Sequence, residues 1–152
     1  MASNPRGDKV PGEIPDAEWQ SALSHRPEED GSRDAAAARF TAAGVGAVQV
    51  RDALSDGGDA LYEAARQRSA GWTEPFGGSL AVALLAAEIS VFAAHVNSRA
   101  SGIRSEAVAE LLEDYSAVTV AGELGVSRQK VYEIARAGLR PPYVVTMPWR
   151  TS

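Results

Sequence analysis

The sequence contains no cysteine and only two histidines, His25 and His95, among its 152 residues. The absence of cysteine excludes disulfide bonds, thiolate zinc sites, iron–sulfur clusters and a cysteine nucleophile. Two histidines are too few for a multi-histidine metal site. The sequence therefore predicts neither a metal site nor a bound cofactor.

An apolar signal segment is also missing, because the first residues are polar and contain three prolines. We therefore expect a cytoplasmic protein. Apolar residues make up 45% of the chain, which is enough to bury a core, so we do not expect general disorder. The 8 prolines and 14 glycines cluster rather than repeat, which excludes a collagen-like chain. The length suits one ordinary domain or two very small ones.

Negative charge predominates, with a net charge of −5, but it is unevenly distributed. Residues 127–152 contain five basic side chains and one acid, a local net charge of +4, which leaves −9 for residues 1–126. This asymmetry is typical of a basic binding edge on an acidic body.

Near residue 31 the composition changes from proline-rich and charged to helix-forming. Residues 1–31 contain four prolines with charges between them, and we expect a mobile arm there. Within this arm, residues 16–24 have Trp19 and Leu23 at the i,i+4 spacing of one or two amphipathic helical turns, and we expect this stretch to be a short docked segment without a function of its own. Residues 32–100 are expected to form a helical core or dimerisation region.

Two helices are predicted in the first half of this core. The first starts at Ser32 and is weakened by glycines near its middle. The second covers about 59–69, with Leu61 and Tyr62 facing inward.

The most apolar stretch of the chain is Leu80–Val96, where the polar residues are Glu88, Ser90 and His95. A membrane span needs about 20 apolar residues. This stretch is shorter and has a carboxylate near its middle, which is costly in a bilayer. It is more typical of the central helix of a bundle or of a dimer interface. We expect a homodimer and no membrane association.

Glu88 and His95 lie seven residues apart, and hence on one helical face. We expect both side chains at the solvent-exposed edge of that helix (its wet edge). The alternative is a catalytic or ligand-binding role. Nothing else supplies a nucleophile or a second base, so the sequence predicts no catalytic residue and no enzyme.

The C-terminal part carries the most specific pattern. Residues 103–115 are amphipathic, with apolar side chains at i, i+3, i+4 and i+7. The next stretch has a small residue, Ala121, where two short helices would touch, and Gly125 where the turn between them needs a left-handed residue. Ser127 is placed to cap the second helix. The apolar contacts between these helices are expected from Val120, Leu124, Val126, Val131 and Ile134.

Residues 103–138 thus resemble the helix-turn-helix of bacterial transcription regulators, and also that of excisionase-like and resolvase-like DNA-binding domains. Residues 1–100 are not assigned to a family. The resemblance implies an all-α fold, a helical bundle with a C-terminal tri-helical helix-turn-helix at 101–140 and a short extended tail at 141–152. The helix at about 128–137 would then lie in the major groove.

The same resemblance implies the DNA-contacting residues. Arg128 suits guanine and Gln129 suits adenine. The Glu133 carboxylate would accept a hydrogen bond from cytosine N4, or form an ion pair with Lys130 or Arg136. Phosphate contacts are expected from Thr119, Ser127, Lys130 and Arg136. The full set of expected DNA-binding residues is Thr119, Ser127, Arg128, Gln129, Lys130, Tyr132, Arg136 and Arg140.

The function expected from this pattern is a sequence-specific, dimeric regulator of transcription that binds double-stranded DNA. The alternative is a phage- or plasmid-type accessory protein whose helix-turn-helix serves nucleoprotein assembly or partner binding. The sequence names no small-molecule effector and no role for the tail.

Overall fold

Residues 17–139 are described by the structure, a computed structural model, and over this range the chain is all-α, as predicted. Seven α-helices and one short 3-10 helix occur in this range, and no strand does. The α-helices are α1 (Ala17–Ala22), α2 (Ser32–Ala42), α3 (Ala47–Ser55), α4 (Asp59–Gln67), α5 (Ser79–Asp114), α6 (Ala117–Leu124) and α7 (Arg128–Ala137); the 3-10 helix is Glu74–Phe76.

Helices α1 to α4 and the first half of α5 enclose one apolar core. Trp19 of α1 stacks on Phe40 of α2 with ring centroids 5.9 Å apart. Val50 of α3 and Leu85 of α5 are fully buried beside them. Burial of side chains this large contributes roughly 1.5–3 kcal/mol each. This core therefore packs α1, at the start of the described residues, against the first half of the long helix α5.

The second half of the predicted mobile arm belongs to this core. Trp19 and Leu23 are both buried, so the i,i+4 pair forms the expected amphipathic turn and also docks. Arg33 fixes the turn that follows, because its guanidinium donates hydrogen bonds to the carbonyl oxygens of Leu23 at 3.1 Å and Arg26 at 2.6 Å. The short docked segment expected around Trp19 and Leu23 is thus present, and residues 17–31 do not form the expected mobile arm. Residues 1–16 lie outside the described range.

The break expected in the first predicted helix separates α2 from α3. The chain leaves α2 through Gly44, whose φ of +76° is a conformation that favours glycine. In α4, Leu61 is buried but Tyr62 is exposed, contrary to the prediction that both face inward. Neighbouring residues on a helix point about 100° apart, and α4 contacts the core along a narrow stripe only.

Helix α5 is continuous over 36 residues, a length of about 54 Å. The sequence predicts a core helix ending near Asn97 and a separate helix over 103–115, and this separation is wrong. Gly102 lies inside the helix and is buried, at a cleft it shares with Ala137 and Gly138 at the end of α7. Glycine weakens a helix by about 1 kcal/mol, and α5 nevertheless continues through Gly102.

A second core forms where α6 and α7 pack on the last third of α5. Its buried residues are Val108, Ala117, Val120, Ala121, Val131 and Ile134. The two cores are separate clusters of side chains, and α5 contributes to both. The long helix therefore connects the N-terminal helices to the C-terminal pair.

Helix α5 is also the one helix in the described range that is long and apolar enough, by length and composition, to cross a membrane. Its most apolar 18-residue window has a mean hydropathy of 1.9, and 17% of that window is buried. The apolar segment noted in the sequence is therefore only partly covered by the rest of the chain.

Candidate nucleic-acid interface

A three-residue turn joins α6 to α7. Its first residue, Gly125, has a φ of +67°, the left-handed conformation expected from the sequence. The Ser127 hydroxyl oxygen accepts a hydrogen bond from the Lys130 backbone N–H at 3.1 Å and caps α7. The Ser116 hydroxyl oxygen caps α6 in the same way, with the Thr119 N–H 3.2 Å away. Both helix starts are therefore fixed by local hydrogen bonds.

Side chains of α5 hold α7 in place from beneath. Val131 and Ile134 of α7 are buried against Val108 of α5. The buried Ser105 hydroxyl of α5 donates to the Ile134 carbonyl oxygen at 2.6 Å, and its oxygen accepts from the Gly138 N–H at 2.6 Å. These contacts fix both the inner face and the C-terminal end of α7. The outer face is consequently presented in a defined orientation.

Ala121 of α6 is buried in this core, which fits the expectation of a small residue at the helix contact. Val126 packs against the core only partly, and Leu124 is exposed. Leu124 was expected to join the apolar contact, so its position differs from the prediction. As the last residue of α6, directly before the turn, it lies beyond the stretch that α7 covers.

Most of the polar side chains expected to contact DNA occupy exposed positions of α7, and Thr119 occupies an exposed position of α6. Helical spacing puts Gln129, Glu133 and Arg136 roughly opposite the buried Val131. Every described member of the expected set is exposed: Thr119, Ser127, Arg128, Gln129, Lys130, Tyr132 and Arg136. Arg140 lies outside the described residues.

Two of these side chains, those of Lys130 and Thr119, have side-chain partners. The Lys130 Nζ lies 3.7 Å from a Glu133 carboxylate oxygen, an exposed i,i+3 pair that contributes little to stability. This is one of the pairings that the sequence left open for Glu133. The Thr119 hydroxyl lies 2.9 Å from the Ser116 hydroxyl at the start of α6.

Beside this face, an open cleft of about 550 Å³ separates α7 from α5. Glu133 and Arg136 line it from α7, and Asn97, Ser98 and Ser101 line it from α5. Arg136 therefore lies at the border between the outer face of α7 and the long helix.

A buried charged cluster lies in the other core, and the sequence did not reveal it. Glu88 is only 3% exposed, so the expectation of a wet helix edge is wrong for this residue. Arg26 donates two hydrogen bonds to its two carboxylate oxygens, both at 2.8 Å. His25 Nε2 lies 2.6 Å from one of the same oxygens. Arg26 also donates to the Ser32 hydroxyl at 2.7 Å.

The pKa of Glu88 reflects two opposing effects. Burial raises it, but the hydrogen bonds from Arg26 and His25 and the positive charge of Arg26 outweigh burial and lower the pKa to about 2. The bond to Glu88 likewise raises the pKa of Arg26. Glu88 is therefore an ionised carboxylate that joins the turn after α1 to the first third of α5.

His95, the other residue of the predicted pair, lies near this cluster. Its ring centroid is 6.1 Å from that of His25, which also meets Phe92 edge to face at 5.4 Å. The carboxylate thus binds groups from the N-terminal turn. The signal in the sequence for such a partner is the presence of one acid within an otherwise apolar helical stretch.

No group of three or more metal-ligating side chains occurs within residues 17–139. No protein-family model matches the chain, and neither a curated protein nor a solved structure does.

Proposed function

We propose that this protein is a sequence-specific DNA-binding regulator of transcription that reads the major groove with α7. The observation that carries the proposal is the composition of the exposed face of α7 on a helix whose other side is buried. Arginine, glutamine, lysine, tyrosine and serine side chains are the usual donors to base edges and phosphates. A helix held by a core and a capped turn positions them without further folding.

Each side chain has a role in this proposal. Arg128 and Gln129, in the first turn of α7, contact base edges, as guanine and adenine readers respectively. Lys130 and Arg136 neutralise phosphates, and Arg140 is assigned to the same surface from the sequence alone. The Ser127 oxygen accepts from Lys130 N–H, so its own hydroxyl hydrogen is available to a phosphate. In a bacterial cell, this activity belongs to the cytoplasm.

The proposed regulator acts as a dimer, because one such unit contacts few base pairs. Two recognition helices must then reach successive major grooves about 34 Å apart. The first half of α5 supplies a surface for this pairing, since its outer face is exposed and contains no charged residue. Leu80 on this face is 64% exposed. The other exposed members are Ala83, Ala86, Ala87, Ser90, Ala93 and Ala94.

A membrane could in principle cover the same apolar face of α5, but we propose that a second copy of the chain covers it. Glu88 lies within the apolar segment, ionised and bound to Arg26. A charged side chain near the centre of a bilayer is costly. The cluster also requires the N-terminal turn to stay packed against α5.

DNA selection followed by a salt series tests the proposal. Duplexes enriched from a random pool should bind more tightly than random duplex, and affinity for both should fall with salt as phosphate contacts release counterions. The double variant Arg128→Ala/Lys130→Ala should lose most of the preference for the selected sequence. The control Arg39→Ala/Arg51→Ala removes the same charge from exposed positions on α2 and α3. Equal losses in both double variants would contradict the proposed interface.

The second candidate is an assembly module that uses the same helices to bind a protein partner. Exposed apolar side chains on α6 and at the end of α5 favour it: Val118 of α6 is 65% exposed, and Leu111 of α5 and Tyr115 directly after α5 are exposed as well. Absence of salt-dependent retention on both heparin and random duplex DNA would favour this candidate over the regulator.

A further inference from the structure

A second cleft, of about 460 Å³, lies far along the chain from α7, between α3, α4, the 3-10 helix and α5. Leu61 and Leu85 are buried residues that line it, and Phe76 and Ala53 add apolar surface. Val48 also lines the cleft and is 47% exposed. Small-molecule sites are commonly apolar clefts of this size.

Hydrogen bonds between the walls fix the shape of this cleft. Gln49 Nε2 of α3 donates to the Phe76 carbonyl oxygen at 2.6 Å and thereby ties α3 to the 3-10 helix. The Asp56 carboxylate accepts from the Gly58 N–H at 2.7 Å and from the Ala60 N–H at 3.2 Å, which sets the start of α4 against the end of α3. The cleft is therefore preformed.

The charged groups of the cleft are all of one sign. Asp52 and Asp56 line it with i,i+4 spacing, and no lysine or arginine is among its lining residues. The C-terminal end of α3, where helix carbonyl groups concentrate partial negative charge, lies at the same place. The nearest basic group to Asp52 is Arg51, with Nε 3.9 Å from its carboxylate and both side chains largely exposed. A ligand cation can replace so loose a pair.

We propose that this cleft binds a small organic cation with an apolar body, an alkyl or aryl primary amine. The ammonium group pairs with Asp52 and with the remaining lone pairs of Asp56. The apolar body lies against Leu61, Phe76 and Leu85. Because no residue of this cleft belongs to the proposed DNA interface, the inference is independent of the regulator proposal.

Calorimetric titration of the full chain without DNA tests this site with three matched probes: 2-phenylethylamine, 2-phenylethanol and 3-phenylpropanoate. The amine should bind about fivefold to tenfold more tightly than the alcohol, which corresponds to one partly exposed ion pair. The anion should bind most weakly, because the carboxylates repel it. Equal affinity for amine and anion, or binding of neither amine nor alcohol, would overturn the proposal.

Two variants locate the binding. Asp52→Asn should weaken amine binding about fivefold to tenfold and leave alcohol binding unchanged. Ala60→Leu should fill the cleft and abolish binding of both probes, with a circular dichroism melt as the check on folding. The matched control, Asp114→Asn, removes a charge at the far end of α5 and should change neither affinity. Unchanged amine binding in Asp52→Asn refutes the site, and because the titrations contain no DNA, this result leaves the regulator proposal intact.

Discussion

Arg128 and Lys130 are separated by one residue on α7, yet the proposed interface gives them different tasks. Arg128→Ala should lose about 1–3 kcal/mol of affinity for the selected sequence and relax the preference at one base pair. Lys130→Ala should weaken binding to all sequences similarly and lower the salt slope by about one unit, because one phosphate contact is lost.

Titrations of selected and random duplexes across a salt series separate the two effects. Uniform loss of affinity in both variants would make Arg128 a backbone contact and move specificity to Gln129 or Tyr132. No change in either variant would show that α7 does not lie in the groove.

Glu88 is the residue whose charge state most affects the stability of the first core. Its pKa is about 2 in the folded chain and 4.5 ordinarily, so the carboxylate stabilises the fold above about pH 4.5 and this contribution is lost as pH falls towards 2. Glu88→Gln should cost roughly 3–5 kcal/mol at pH 7, since it leaves Arg26 without its buried partner.

Urea unfolding at pH 7 and at pH 3 measures this contribution. The difference in unfolding free energy between the unsubstituted protein and Glu88→Gln should be smaller at pH 3. Glu110→Gln, an exposed acid on the same helix, is the control and should change stability little at either pH. A difference that does not vary with pH would argue against the ionised cluster.

At the scale of helices, α6 has neighbouring positions that differ in the side-chain size they tolerate, the buried Ala121 and the exposed Gly122. Ala121→Leu should overpack the contact of α6 with its core and cost roughly 1–3 kcal/mol. The neighbouring Gly122→Ala should instead stabilise the protein by about 0.5–1 kcal/mol, because a Cβ at this exposed helical position meets no atom within 4 Å. Thermal denaturation of both variants measures these two changes in stability. Near-normal stability and DNA binding in Ala121→Leu would show that the two helices meet elsewhere.

The helices also show why the sequence predicted some elements better than others. The bounds of α6 and α7 follow from capping serines and a left-handed glycine within a few residues of each helix end. Helix α5 was divided in the prediction because Gly102 looks like a break in an isolated sequence. In the structure the helix runs through Gly102, and one turn later its Ser105 hydroxyl binds the Ile134 carbonyl oxygen and the Gly138 N–H at the end of α7, contacts that no local pattern records.

For the whole molecule, the uncharged face of α5 determines the expected oligomeric state. Sedimentation at micromolar concentration should give a species of twice 16.0 kDa. Ala87→Glu places a charge in the proposed interface and should shift the equilibrium to the monomer. Ala109→Glu adds the same charge to an exposed position among the acids of the second half of α5, and should leave the dimer unchanged. If the unsubstituted protein is purely monomeric, the prediction of a dimer is wrong, and α5 is then the core of a single helical bundle.

The sequence by itself determined the all-α class, the turn at Gly125 and the set of polar residues on α7. These features depend on side-chain type, helical period and hydrogen bonds within a few residues, all of which a sequence displays directly. Of the expected DNA-binding residues, Arg128, Gln129, Lys130, Tyr132 and Arg136 are exposed on α7, because the buried Val131 and Ile134 occupy its inner side.

Only the tertiary structure decided the burial of Glu88 and the docking of residues 17–31. Glu88 binds Arg26 and His25 across separations of 62 and 63 residues. A carboxylate in an apolar helix is stable there only when a distant chain segment brings it a cation, and the sequence does not show which segment will do so. The same docking buries Trp19 and Leu23, because an amphipathic turn becomes ordered only where another surface covers its apolar side.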